Sequence, residues 1–291
     1  MTRNRSAGIF LVSALLVSAC SQPLPAGPAH TSERPAASIT LSIALDGTQA
    51  TANAKELLAR RDVTTVEVPN DVSYHRLARY RAFPVADLLA ASTTKGASTL
   101  QAKAADGFAA EIPVSLLTRR DGTSPTAYLA IEDPTSPWPA LPGKQTTAGP
   151  FYLIWAGPHS NQISTEYWPY KIVSLTLKAD PSVRWSALSA ERVVDAGAHA
   201  RSGQRLFAAN CLSCHQLDGE GDGKIGPDLD KPMNPTAYFQ GAALHRYIRD
   251  PASVRHWPGQ QMPAFGPDRL SDAEIDDLIA YLSAVRKHPP S

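Results

Sequence analysis

The sequence predicts two domains of different class: an α+β domain, mostly β, over residues 38–181, and an all-α domain over 199–288. Three observations carry this. At 291 residues the chain is longer than one average domain. Up to Leu177, short runs alternate apolar and polar residues, the period of a half-buried strand. From about Ser189 the spacing becomes helical, with Gly- and Pro-rich loops between segments. The stretch 182–198 reads as the linker between them.

Hydrophobic residues make up 43% and charged residues 19%, enough apolar material for a sizeable core. The formal charge of +1 excludes the basic excess of a nucleic-acid-binding protein. At the N-terminus, Arg3 and Arg5 precede an apolar run from about Ala7 to Val17, too short to span a bilayer comfortably. Val17-Ser18-Ala19-Cys20 resembles a bacterial lipobox. The resemblance implies a signal peptide over 1–19 and lipidation of Cys20. Acyl chains would then hold the protein on a bacterial membrane, in the periplasm, without a spanning helix. The alternative is an ordinary cleaved signal. Residues 20–37, rich in Pro, Ala, Gly and Ser, read as a flexible tether.

Each element of the first domain has its own signal. Ser38 to Leu45 alternates and ends at Asp46-Gly47, a strand and turn. Lys55 to Arg61 suits a short helix, and Val63 to Val68 alternates again. Phe83 to Ala90 reads as a turn leading into a helix. Thr99 to Ala104, followed by Asp106-Gly107, is a strand and turn, and Ala127 to Glu132 another strand. Five prolines between Asp133 and Pro150 forbid regular structure there. Phe151 to Ala156 suits a buried strand. Ile172 to Leu177 is the last strand, stopped by Asp180-Pro181. The expectation is six or so strands with few helices.

The chemistry concentrates in the second domain. Cys211-Leu212-Ser213-Cys214-His215 matches the Cys-x-x-Cys-His pattern of c-type haem attachment. On one helical turn, residues three apart share a face, so both thiols can reach the two vinyl groups on one porphyrin edge. The next residue, His215, can then offer a nitrogen to the iron. A zinc site and a plain disulfide are the other readings. Zinc needs about four ligands, and no second cysteine pair exists.

The surroundings resemble class I cytochromes c from about Arg201 to Lys287. Gly203 and Phe207 precede the first haem cysteine. Gly226-Pro227-Asp228-Leu229 looks like the family's Gly-Pro-x-Leu, where the carbonyl of Pro227 would accept the Nδ1–H of His215. Met262-Pro263-Ala264-Phe265 looks like the segment that supplies the second axial ligand. Ser271-Asp272-Ala273-Glu274 reads as a capping box opening a helix whose Ile275, Leu278, Ile279 and Leu282 share a face, and Tyr281 matches the family's aromatic. The resemblance implies one haem c, bound through thioethers at Cys211 and Cys214, with His215 and Met262 as axial ligands to iron. Met233 is the other methionine outside the leader; packing is the commoner role for this residue type. Arg246, Arg249, Arg255, His256 and Trp257 are candidate donors to the haem propionates by position, Trp257 first among them. Tyr238, Phe239 and Tyr247 suit the pocket wall or core.

In the first domain, Tyr80 to Leu89, Ala105 to Pro113 and Gly149 to Trp155 resemble the molybdopterin domain of the sulfite oxidase fold. Catalytic members of that family bind molybdenum through a cysteine thiolate. This chain has no cysteine between Ser21 and Asn210, so no molybdopterin is expected. His75, His159, Glu166, Tyr167 and Trp168 are candidate ligand-site residues. The function expected is one-electron transfer, with redox proteins as partners: a dehydrogenase as donor, a cytochrome or oxidase as acceptor. Two alternatives stand beside it. One is a molybdenum-dependent oxidoreductase with an internal haem acceptor. The other is a docking module that recruits a dehydrogenase. Counted from Asp195, the C-terminal part carries ten Lys/Arg and twelve Asp/Glu, so it has no basic excess to steer it to an acidic partner.

Overall fold

The computed structural model describes residues 39–90, 92, 96–192, 197–240 and 242–287. The leader, Cys20 and the tether lie outside the described residues. The first half builds two sheets from nine strands: β1 Thr40–Leu45, β2 Thr48–Asn53, β3 Thr64–Val68, β4 Ala78–Pro84, β5 Thr99–Ala104, β6 Ala109–Pro113, β7 Thr126–Ile131, β8 Phe151–Ala156 and β9 Ile172–Lys178. One sheet runs β2-β1-β9-β5-β6 and the other β3-β4-β7-β8. All pairings are antiparallel except β1 with β9. Short helices α1 (Ala54–Leu58), α2 (Val85–Leu89) and α3 (Val114–Leu117) connect strands.

Apolar residues of both sheets fill one core. Leu41, Leu100, Ile112 and Leu175 contribute from the first sheet; Val68, Phe83, Leu129, Tyr152 and Ile154 contribute from the second. Strand β8 is buried from Phe151 through Trp155, as its unbroken apolar run requires. Asp71, 1% exposed, is satisfied inside this core. It accepts hydrogen bonds from the backbone N–H groups of Ser73 and Tyr74 and from the Tyr80 hydroxyl, at 2.8, 2.7 and 2.9 Å.

Three strands exceed the sequence expectation. β2 is polar and exposed through its first four residues, an edge strand with no apolar face to announce it. β4 sets Arg79 and Arg81 outward and Tyr80 and Ala82 inward, then hands over at Pro84 to α2. β6 is buried on both faces and so lacks alternation. After β9, α4 (Pro181–Arg184) and two 3₁₀ turns lead to the helical half.

That half contains α5 (Ala198–Asn210), α6 (Pro235–Tyr238), α7 (Ala243–Arg249), α8 (Pro251–Val254) and α9 (Asp272–Lys287). Helices α5 and α9 pack closely because position 203 is glycine: a Cβ there would collide with the Asp277 carbonyl. The rings of Phe207 and Tyr281 meet at 5.4 Å across this crossing. Ile275, Leu278, Tyr281, Leu282 and Val285 form the buried face of α9. Its N-terminus carries the reciprocal capping bonds, Glu274 N–H to Ser271 Oγ at 3.3 Å and Ser271 N–H to Glu274 Oε2 at 2.7 Å. Among the described residues no helix is long and apolar enough to cross a membrane.

Both halves fall in one compact unit. The Tyr281 hydroxyl donates to the Leu188 carbonyl at 2.9 Å, and Leu188 and Ala190 join the helical core.

Candidate functional site

The C-terminal end of α5 delivers Cys211 into a tight turn. The N–H groups of Cys214 and His215 donate to the Cys211 carbonyl at 3.1 and 2.9 Å, which fixes the relative positions of both thiols and the imidazole. Both cysteines are free thiols, half-buried. Burial pushes the Cys214 thiol up to about 12, the nearby Glu166 charge adding to it, and the same two causes raise Cys211 further.

His215 Nδ1 lies 2.7 Å from the Pro227 carbonyl. A carbonyl oxygen only accepts, so Nδ1 carries the proton and Nε2 keeps its lone pair for a metal. Burial lowers the imidazole pKa, against the pull of that hydrogen bond, and holds the ring neutral. The ring needs a glycine beside it: a Cβ at Gly226 would run into the imidazole. A Cβ at Gly223 would lie 2.7 Å from the Leu212 carbonyl oxygen, so the loop after the motif also folds against the turn only without a side chain there. Asp228 ties this loop down by accepting from the N–H groups of Asp218, Asp230 and Lys231 at 3.0, 2.8 and 2.9 Å.

Met262 lies in an irregular segment and packs, partly buried, against the helical core. Met233 is 53% exposed. Arg249 spends its guanidinium on the carbonyls of Phe265 and Leu270, both at 2.5 Å, and on Asp272 at 2.6 Å. Arg246, Arg255, His256 and Trp257 are exposed, with the Arg255 guanidinium 5.6 Å from the Trp257 ring. Phe239 stacks between Tyr238 and Tyr247 at 5.0 and 5.2 Å. In the β half, His75 and His159 are exposed turn residues with left-handed backbone, φ 53° and 59°. Tyr167 uses its carbonyl to accept the Trp155 indole N–H at 2.8 Å. Trp168 is buried, its ring 6.4 Å from Tyr152.

The donor set suits a covalently held haem: two thiols one turn apart, a neutral imidazole with its free nitrogen defined, a glycine-lined ring pocket and a half-buried thioether. Sequence reasoning missed how far the β half reaches into this site. Ala109 N–H donates to the Ser213 carbonyl, between the two cysteines, at 2.9 Å, and Lys224 N–H donates to the Gly107 carbonyl at 3.2 Å. Asp222, on the loop after the motif, receives Gln101 at 2.6 Å, Lys103 at 3.0 Å and Lys178 at 3.4 Å, all from β5 and β9. Next to them, buried Glu111 pairs with Arg184 at 2.5 Å. No local sequence signal joins residues so far apart in the chain.

Residues 200–286 match the family model described as Cytochrome c. The chain is 31% identical over 122 residues to a cytochrome bc1 complex cytochrome c subunit of Corynebacterium diphtheriae, covering 40% of this chain and 38% of that one. It is 34% identical over 107 residues to a thiosulfate dehydrogenase of Allochromatium vinosum, 35% of this chain and 34% of that one. A third relative is the cbb3-type cytochrome c oxidase subunit FixP of Azorhizobium caulinodans, 30% identical over 86 residues, 30% of this chain and 27% of that one. The chain thus spans well under half the length of these curated relatives. Residues 200–286 are a class I cytochrome c domain, of a family that binds haem c covalently.

Proposed function

We propose that this protein is a periplasmic, lipid-anchored cytochrome that carries single electrons through one haem c. Cys211 and Cys214 form the thioethers, His215 and Met262 bind the iron, and Cys20 carries the anchor. The observation that carries the reading is the Cys211–His215 turn clasped to Pro227. Haem c supplies one-electron iron chemistry when bound. The chain's own residues then do three things. The turn fixes the spacing of the sulfurs, the Pro227 carbonyl fixes the tautomer of His215, and the helical core that includes Leu212, Phe207 and Tyr281 anchors the turn between its two ends. The half-buried position of Met262, against the exposure of Met233, supports Met262 as the sixth ligand. With His215 and Met262 both holding the iron, no position would remain for substrate, which favours electron transfer over oxygen chemistry. Relatives named as subunits of a bc1 complex and a cbb3 oxidase support redox proteins as partners.

We read the β half as a sulfite-oxidase-like scaffold without molybdopterin, because the stretch from Ser21 to Asn210 contains no cysteine. Expression in a host that matures c-type cytochromes tests both points. One iron, no molybdenum, a six-coordinate low-spin spectrum and thiols resistant to alkylation are expected. A colourless product with two reactive thiols overturns the haem reading, and stoichiometric molybdenum overturns the scaffold reading. Met262→His should keep the haem and lower its potential, since a thioether favours ferrous iron more than a second imidazole does. Cys20→Ser should move the protein from the membrane to the soluble periplasmic fraction.

A further inference from the structure

The segment holding Met262 has little regular structure of its own. After α8 ends at Val254, no helix or strand forms until α9 begins at Asp272. The segment is fixed instead by two arginines. Arg249 is the first, gripping the Phe265 and Leu270 carbonyls from within the helical half, while its own carbonyl accepts the Phe265 N–H at 3.1 Å. Arg269 is the second, and it reaches out of that half. Its Nη1 donates to the carbonyl of Ala264, two residues beyond Met262, at 3.2 Å. Its guanidinium lies over the Phe265 ring, 4.6 Å from the centroid. Its Nη2 donates to Thr165 Oγ1 and pairs with Glu166 Oε1 at 3.2 Å, both on the 3₁₀ turn Thr165–Tyr167 of the β half.

We propose that Glu166, acting through Arg269, is a positioning residue for Met262, so that the β half helps to hold the sixth ligand of the haem iron. This rests on the reading of Met262 as that ligand. The energetics favour a firm link. The Glu166 side chain is 12% exposed and that of Arg269 23%. Burial pushes the Glu166 carboxyl up, and the adjacent Arg269 charge pulls it back, so removing the guanidinium would leave a buried carboxyl without its counter-charge. A partly buried, multiply bonded pair is coupled far more strongly than an exposed one. The turn bearing Glu166 is itself anchored: the Ser164 hydroxyl, with one proton to give, lies 3.1 Å from the carbonyl of Ala209 and 2.9 Å from Asn210 Oδ1, at the end of the helix that delivers Cys211. One short turn of the β half thus contacts the end of the helix that delivers Cys211 and, through Arg269, the segment that carries Met262.

The test uses the full-length, haem-loaded protein and three variants: Glu166→Gln, Arg269→Gln and the double change. Thr165→Val, which removes one hydroxyl, serves if the first two load haem poorly. Two readouts are needed, the thioether-to-iron absorption of the ferric protein and the Kd for imidazole, which competes with methionine for ferric iron. The expected result is a weaker thioether band and imidazole binding tighter by about tenfold in each single variant, with the double variant no tighter than either. Thr165→Val should shift both readouts in the same direction by less. A thioether band in the wild type together with unchanged imidazole affinity in the variants overturns the role of Glu166 and leaves Met262 in place. Absence of the band from the wild type overturns Met262 as ligand, and this inference with it.

Discussion

The β half and the helical half are held together by different means. The β half has a core of its own: two sheets close over Trp155, Tyr152, Phe151 and Phe83, all fully buried. Its buried Asp71 is satisfied by its own tyrosine and backbone N–H groups. The helical half has a smaller core, mostly the α5–α9 crossing, and two of its helices are only four residues long. Its site loops are tied by side chains and by the neighbouring sheet rather than by regular structure. Stability that comes from packing is spread over many residues, whereas a loop tied by a few polar contacts can be undone at one position.

The largest effect is expected in the loops of the helical half. Gly226→Val would drive a branched side chain into the His215 ring. Haem incorporation should be lost almost completely, measured as the ratio of haem to protein absorbance, while the near-ultraviolet circular dichroism of the β half persists. Incorporation at the wild-type level would show that the pocket can give way. From the packing side, Trp155→Ala removes the largest fully buried side chain. It should cost about 3–5 kcal/mol in denaturant unfolding. Because the halves share an interface, tryptophan fluorescence and haem absorbance should report a single transition, and two separate transitions would show that the halves unfold independently.

A smaller and pH-dependent effect is expected at Asp222. Burial pushes its carboxyl up, but hydrogen bonds from Gln101 and Lys103 and the Lys178 charge outweigh this and bring it down to about 2, from an ordinary 3.8. A depressed folded pKa stabilises the fold above the unfolded value, and the contribution is lost as pH falls through the folded one. The wild type should exceed Asp222→Asn in stability by on the order of 2 kcal/mol at neutral pH. That margin should shrink between pH 4 and pH 2, read from chemical denaturation at each pH. A margin independent of pH would show that the carboxylate charge plays no part at the interface.

How well each half could be read from the sequence follows from the same difference. The turn from Cys211 to His215 and the cap at Ser271 are announced by local spacing, and the glycines at 203 and 226 by the resemblance to class I cytochromes c. β8 and β9 were readable because their buried faces are continuous or alternate cleanly. β2 was not, because an exposed edge of Thr, Gln and Ala carries no apolar period. β6 was not, because a doubly buried strand with Glu111 inside shows neither alternation nor a clean apolar run. Glu166 stood out only as one of several polar or aromatic residues beside a strand. Its partner Arg269 lies 103 residues away, and no periodicity reports such a pair.

The backbone bond from Ala109 to Ser213 has a practical meaning for anyone dividing this protein. Scissors placed anywhere from 190 to 197 would not yield two finished parts. The fragment with the haem motif would lose the strand that covers the loop between its cysteines, and Asp222 would stand without its lysines. The fragment with the sheets would keep Glu111 and Arg184 facing solvent where a loop had been. Measurements on either piece would describe a molecule with a wound along one side, and the two halves together are the smallest unit that keeps these contacts.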